Sequence, residues 1–275
     1  MGKLDGKVAL ITGGARGQGR SHALTLAREG ADIVVCDVAK QLPTVPYGLA
    51  TEDQLSETTR LVEDLDRRCV AVKADVSNAA EMKGVVDRAV SEFGKIDILV
   101  ANAGISSGGV PAWELTEEQW DEMLQVNLKG MWLATKYVIP VMLRQGSGAI
   151  TMTSSATVAG FPNLAHYVSA KAGIIGLMRV LANELGRHGI RVNAVLPTTV
   201  DTDMVNNQFT YDMFAGGSGG TRENLIQGMA AANLLPTALV EAQDISNAIL
   251  WLVSDDARWV TGVALPVDAG MLVKV

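Results

Sequence analysis

Tyr167 and Lys171, in Tyr167-Val168-Ser169-Ala170-Lys171, stand four residues apart. On a helix that spacing puts two side chains on one face. A tyrosine with its ordinary pKa of about 10 is a poor base at neutral pH, and a lysine ammonium beside it stabilises the phenolate. Such a phenol can take the proton of an alcohol or return it to a ketone oxygen. The spacing alone recurs by chance in many chains, so its neighbours matter. Ser154 and Ser155 close a short apolar run, 13 and 12 residues before Tyr167. A serine hydroxyl there can hydrogen-bond a substrate oxygen, and the other serine of the pair reads as a turn or cap residue. Asn127 is a polar residue in the apolar helical stretch Leu124-Gln125-Val126-Asn127-Leu128. It reads as a partner for backbone groups and, in a distorted helix, as the holder of a water near Lys171.

A second cluster lies near the N-terminus. An all-apolar run over 8–11 leads into Thr12-Gly13-Gly14-Ala15-Arg16-Gly17-Gln18-Gly19. The glycines let a pyrophosphate approach the backbone, and the following helix offers its free N–H groups and positive end. Asp37 ends the second apolar run, 18 residues after Gly19, where a carboxylate can accept hydrogen bonds from adenosine ribose hydroxyls. Arg16 argues mildly for the 2′-phosphate of NADP. A carboxylate about 4 Å from that phosphate is repelled by roughly 4 kcal/mol at an effective dielectric of about 20. Arg16, read as long and solvent-facing, offsets only part of this, so the expected cofactor is NAD. With the oxidised nicotinamide adding positive charge, bringing Tyr167 to a pKa of about 7 takes roughly three units, or about 4 kcal/mol.

These groups need a scaffold that gathers them at one edge. Short apolar runs predict strands over 8–11, 32–36, 70–72, 96–100, 149–153, 191–196 and 263–267. Helical patterns fall over 21–29, 82–93, 167–185 and 245–253, and Thr116 opens another helix with Glu118 and Gln119 as capping partners. Alternating strand and helix predicts one doubly wound, Rossmann-like α/β domain over 1–275, with a parallel seven-stranded sheet and helices on both faces. Two stretches break the rhythm. Residues 40–51, with Pro43 and Pro46, form an insertion that leaves strand two beside Asp37. It is expected to close over the adenosine end of the cofactor, with Tyr47 against the ribose or adenine. Residues 206–220 are polar and glycine-rich, and a substrate lid is expected near 200–220, after a strand's C-terminal end.

Bulk properties exclude more than they identify. The chain has 275 residues, 48% of them hydrophobic, enough for a sizeable core. A net charge of −7 argues against nucleic acid and anionic membranes as partners. The N-terminal Met1-Gly2-Lys3-Leu4-Asp5-Gly6 leads into the glycine turn and does not read as a secretory signal. Cys36 and Cys69 suggest packing in a reducing cytoplasm, with no spacing for a metal site.

The glycine turn, Asp37, Asp75-Val76, Asn102-Ala103-Gly104, Asn127, the serine pair, YVSAK and Pro197–Thr202 together resemble the short-chain dehydrogenase/reductase family over nearly the whole chain. The resemblance implies a catalytic tetrad of Asn127, Ser155, Tyr167 and Lys171. It also implies a cofactor site of Gly13, Arg16, Gly17, Gln18, Gly19, Asp37, Asp75, Val76, Asn102, Ala103, Gly104, Tyr167, Lys171, Pro197, Val200 and Thr202. Two departures stand out. The family's serine usually lies 13 residues before the tyrosine, which fits Ser154, whereas the strand ending favours Ser155. The family's usual Pro-Gly is Pro197-Thr198 here. GQGRSHA, VPYGLAT and LPVDAG look like the mycofactocin-associated, carveol dehydrogenase-like subgroup. That likeness implies an insertion covering a slowly exchanging NAD, a small apolar alcohol or ketone as substrate, and mycofactocin as external redox carrier. The family also implies a homo-oligomer, a tetramer, built from the helices around 118–138 and 167–185 and the apolar tail 267–275. The competing expectations are an NADPH-dependent 3-oxoacyl ketoreductase and a non-catalytic dinucleotide sensor. Asp37 opposes the first and the Tyr167/Lys171 pair the second.

Overall fold

The computed structural model describes residues 2–274. Its strands are β1 Val8–Thr12, β2 Asp32–Asp37, β3 Cys69–Lys73, β4 Ile98–Ala101, β5 Gly148–Thr153, β6 Ile190–Pro197 and β7 Ala264–Val267. They form one seven-stranded sheet in the order β3-β2-β1-β4-β5-β6-β7, with every pairing parallel. The α-helices are α1 Gly17–Arg28, α2 Glu52–Glu63, α3 Ala79–Phe93, α4 Glu117–Leu124, α5 Gly130–Gln145, α6 Ala165–Leu185, α7 Gln208–Ala215, α8 Arg222–Ala232 and α9 Ala242–Val253.

All five residues of β1 are buried, as a strand covered on both faces requires. Alternate side chains feed two cores. Leu10, Val34, Leu99 and Ile150 pack on the side of α3, α5 and α6. Ile11, Val35, Val100 and Val195 pack on the side of α1, α2 and α9. β1 lies between β2 and β4, so the strand order reverses there. In such sheets a crevice opens outside the C-terminal strand ends at that reversal. The glycine turn, Asp37, Asn102–Gly104, the serine pair and Thr198–Thr202 all leave C-terminal strand ends, and so meet at this edge.

Several elements differ from the sequence reading. α1 starts at Gly17, inside the glycine turn, so the phosphate-binding backbone is also its first turn. α2 follows directly on the 40–51 insertion and had a legible signal. Thr51 and Gln54 form a reciprocal capping box, and Leu55, Thr58 and Val62 give the buried stripe. The capping box of α4 uses Thr116 and Gln119, not Glu118. The stretch 206–220 is largely helical. Asn207 caps α7, its side chain accepting from the Thr210 N–H at 3.0 Å, and the glycine-rich loop shrinks to the link between α7 and α8. Among the described residues no helix is long and apolar enough to cross a membrane, and no group of three or more His, Cys, Asp or Glu is placed to hold a metal ion.

Candidate active site

Tyr167 lies in the first turn of α6, with Lys171 one turn on. The Lys171 Nζ sits 5.5 Å from the centre of the Tyr167 ring and donates to the Thr153 carbonyl at 2.8 Å. The two serines divide their work. The Ser154 hydroxyl donates to the Lys171 carbonyl at 2.8 Å and so fastens β5 to α6. The Ser155 hydroxyl faces Tyr167, whose phenol it stabilises in the ionised form. The same oxygen accepts from the Thr157 N–H at 3.2 Å and hydroxyl at 2.9 Å.

Burial outweighs that help and pushes the Tyr167 phenol up to about 12. It pulls the Lys171 ammonium down to about 7. The sequence expectation of a tyrosine lowered toward 7 is therefore not met by the chain's own groups. The lysine is itself stripped of water, so its charge is suppressed along with the phenolate it would stabilise. What the chain alone provides is a protonated phenol, a donor suited to a ketone oxygen.

Asn127 sits in a π-helical turn, Gln125–Lys129, that joins α4 to α5. Such single wide turns cluster at functional sites. Its side chain accepts from the Ile105 N–H at 2.8 Å and donates to the Ile105 carbonyl at 2.9 Å. The backbone it satisfies is thus that of the segment after β4. A Cβ added at Gly104 would meet the Asn127 Oδ1 at 3.2 Å and the Lys171 Nζ at 3.5 Å, so glycine keeps the space between these two groups open.

The groove beside this cluster suits a dinucleotide. It is lined by Gly13, Arg16, Gly17, Gln18, Gly19 and Asp37 at one end. A Cβ at Gly19 would lie 1.9 Å from the Gly13 carbonyl oxygen, so only glycine lets the turn fold this tightly. Among the described residues no side chain caps the α1 N-terminus, which leaves its amides for an anion. Asp37 is held by the Ala15 N–H at 3.1 Å and the Ala39 N–H at 3.3 Å, with acceptor capacity left for hydroxyls. Asp75, Val76, Asn102, Ala103, Gly104, Pro197, Val200 and Thr202 line the same groove. These residues fit NAD. When bound, it supplies the acceptor or donor of a hydride.

Other residues that shape the groove were unforeseen or are placed differently from the sequence expectation. Thr12 accepts from the N–H groups of Asn102 and Ala103, both at 3.0 Å, and so ties the end of β1 to the segment after β4. Its place at a strand end before the glycine turn was the available signal. Arg16 is not solvent-facing: its guanidinium holds Asp203 at 2.9 Å and the Gly48 carbonyl. Tyr47 is buried, and its hydroxyl accepts from the Ser106 N–H at 3.1 Å, beyond the adenosine end where the sequence put it. Thr198, standing for the family's glycine, donates to Asn233 at 3.1 Å and so pins its loop to the end of α8. Phe161, Phe209 and Phe214 line the cavity, whereas Trp113 is 84% exposed and outside it. Burial raises the Cys69 thiol to about 12 and raises Cys36 further, which agrees with inert packing.

The profile described as enoyl-(acyl carrier protein) reductase matches residues 13–272. The chain belongs to the short-chain dehydrogenase/reductase family. It is 44% identical to a (-)-trans-carveol dehydrogenase of Rhodococcus erythropolis, covering 100% of both chains. It superposes on the carveol dehydrogenase of Mycobacterium avium in complex with NAD with a TM-score of 0.97, at 45% identity and covering 100% of both. An NAD-bound short-chain dehydrogenase from Mycobacterium paratuberculosis gives 0.88 at 39% identity, covering 98% of this chain and 99% of that one.

Proposed function

We propose that the chain interconverts a cyclic, apolar secondary alcohol of carveol type and its ketone, with Tyr167 transferring the proton. The chain is an NAD-dependent oxidoreductase of alcohols and ketones. The observation that carries the substrate reading is the placement of the Ser155 and Tyr167 hydroxyls in a groove whose far wall is Phe161, Leu164, Phe209, Met213, Phe214 and Met229. The Ser155 and Tyr167 hydroxyls are the polar partners offered to the oxygen of the guest. Ser155 orients that oxygen, Tyr167 donates or removes its proton, and Asn127 and Lys171 sit behind to relay charge. Residues 200–220, with α7, act as the lid of this cavity.

The insertion 40–51 is read as a cover that slows NAD exchange. Four of its residues are pinned: Lys40 pairs with Asp75 at 3.7 Å, the Thr44 N–H donates to Glu122 at 3.0 Å, Tyr47 meets Ser106, and Gly48 meets Arg16. Dissociation then waits for the cover to open. A retained cofactor needs an external carrier to reset it, and mycofactocin in the cytoplasm fits that role. Incubating the NAD-loaded protein with carveol should produce one equivalent of bound NADH, read by its near-ultraviolet absorbance. Cyclohexanol should react more slowly, and a 3-hydroxyacyl thioester not at all. Reaction of the thioester alone would overturn the substrate reading.

The chain is also proposed to form a homotetramer. Trp120 and Trp132 on the α4–α5 face, Val180 on α6 and Trp251 on α9 are all at least 38% exposed. Large apolar side chains exposed on helix faces are the support for association surfaces there. Light scattering at micromolar concentration should give four times the 29.1 kDa chain mass, and the monomer mass would refute it.

A further inference from the structure

Arg16 flanks α1, and its side chain is only 21% exposed. Its guanidinium fork is divided. Nη1 donates to the Asp203 carboxylate at 2.9 Å and Nη2 to the Gly48 carbonyl. Gly48 belongs to the cofactor cover, and Asp203 to the segment that leaves β6 and enters α7. Each segment has its own anchors elsewhere. Thr44 holds Glu122 on α4. Asp201 pairs with Arg222 at 3.0 Å on α8. Among the described residues, no other hydrogen bond or ion pair joins the 40–51 insertion to the 198–232 segment. Arg16 is thus the one polar link between the cover of the cofactor and the cover of the substrate.

We propose that Arg16 is a positioning residue that locks these two covers together, so that lid closure over substrate slows NAD escape. To leave, NAD needs the insertion to lift, and lifting breaks the bond from Arg16 to Gly48. Asp203 holds the guanidinium plane in place for that bond. A lid opened by loss of substrate withdraws Asp203 and frees the fork. Coupling of this kind is reciprocal, so bound NAD in turn tightens the substrate cavity. The proposal rests on the reading of 40–51 as a cover and of 200–220 as a lid.

Asp203 is 62% exposed, so the pair is screened by salt and its effect is moderate. In the test, bound NAD exchanges against radiolabelled NAD in the wild type, Asp203→Asn, Arg16→Met and the double variant. At low ionic strength Asp203→Asn should release NAD about threefold to fivefold faster, the upper part of the range an exposed ion pair supports. The gap should close in about 0.5 M salt, where the Debye length falls to a few ångström. KM for the ketone should rise by a similar factor. In the Arg16→Met background Asp203→Asn should add nothing, because the partner is already gone. Equal release rates for wild type and Asp203→Asn at low salt, or a full added effect in the double variant, overturn the proposal. Wild-type release within a fraction of a second would sink the slow-exchange reading, while the ratio between variants still judges the lock.

Discussion

Replacing Tyr167 with phenylalanine should lower kcat by a factor of about 10² to 10⁴, or about 3 to 5 kcal/mol of barrier, while leaving NAD bound. The substitution deletes one hydroxyl from the first turn of α6 and keeps the ring that packs beside Lys171. Its structural cost is at most one polar contact with the facing Ser155 hydroxyl, worth about 1 kcal/mol in a typical case. The catalytic loss is larger because the ketone oxygen loses its proton donor. Burial holds the phenol near 12, so at neutral pH the donor carries its proton in the chain alone. Single-turnover oxidation of bound NADH by ketone measures the chemical step, and quantifying the retained cofactor checks binding. Wild-type turnover in the variant would place the proton donor elsewhere.

The parts of this site legible in the sequence were those fixed by local chemistry. The stretch 8–11 is an all-apolar run because the strand is covered on both faces, and Thr12 and the glycine turn follow it directly. The parallel sheet follows from alternation, and Tyr167 and Lys171 share a face because α6 carries both. What stayed hidden depends on pairing across the fold. Ser154 and Ser155 are adjacent and alike; only the direction in which β5 turns each hydroxyl gives one to the α6 backbone and the other to the phenol. Arg16 reads as a surface residue because its partner Asp203 is 187 positions away. The chain's own groups do not lower the Tyr167 pKa, because spacing reports nearness of a lysine but not the burial that weakens its charge. α7 was masked by the glycines just beyond it, although Asn207 supplies an ordinary cap.

The fold's sharpest acid sensitivity should come from His22, a residue outside the catalytic cluster. It lies on α1, one turn past the glycine turn, with no solvent exposure. Its Nδ1 is 2.8 Å from the Ser246 hydroxyl on α9. That hydroxyl donates its proton to the Ala242 carbonyl at 2.9 Å, so the ring nitrogen is the donor in the pair. Among the described residues Nε2 has no hydrogen-bond partner, so a second proton would be poorly stabilised there. Burial therefore pulls the His22 pKa down to about 3, against a smaller opposing pull from Asn102. An unfolded chain titrates near 6.5, so between 6.5 and about 3 it holds the extra proton. Stability is full above 6.5 and declines as the pH falls through that window. Over the first pH unit and a half, down to pH 5, the decline is about 2 kcal/mol. Over the whole window it approaches about 5 kcal/mol, a large share of the 5–15 kcal/mol that holds a typical domain. Carboxylates with ordinary values near 4 remain mostly ionised at pH 5, so thermal melts between pH 6.5 and 5 isolate the histidines. His22→Asn keeps a donor for Ser246 and removes the titration. It should melt with a shallower pH slope than the wild type across that interval, and parallel slopes would assign the acid loss to other groups. Because α1 begins within the glycine turn, protonation that loosens α1 from α9 should also release the cofactor over the same interval.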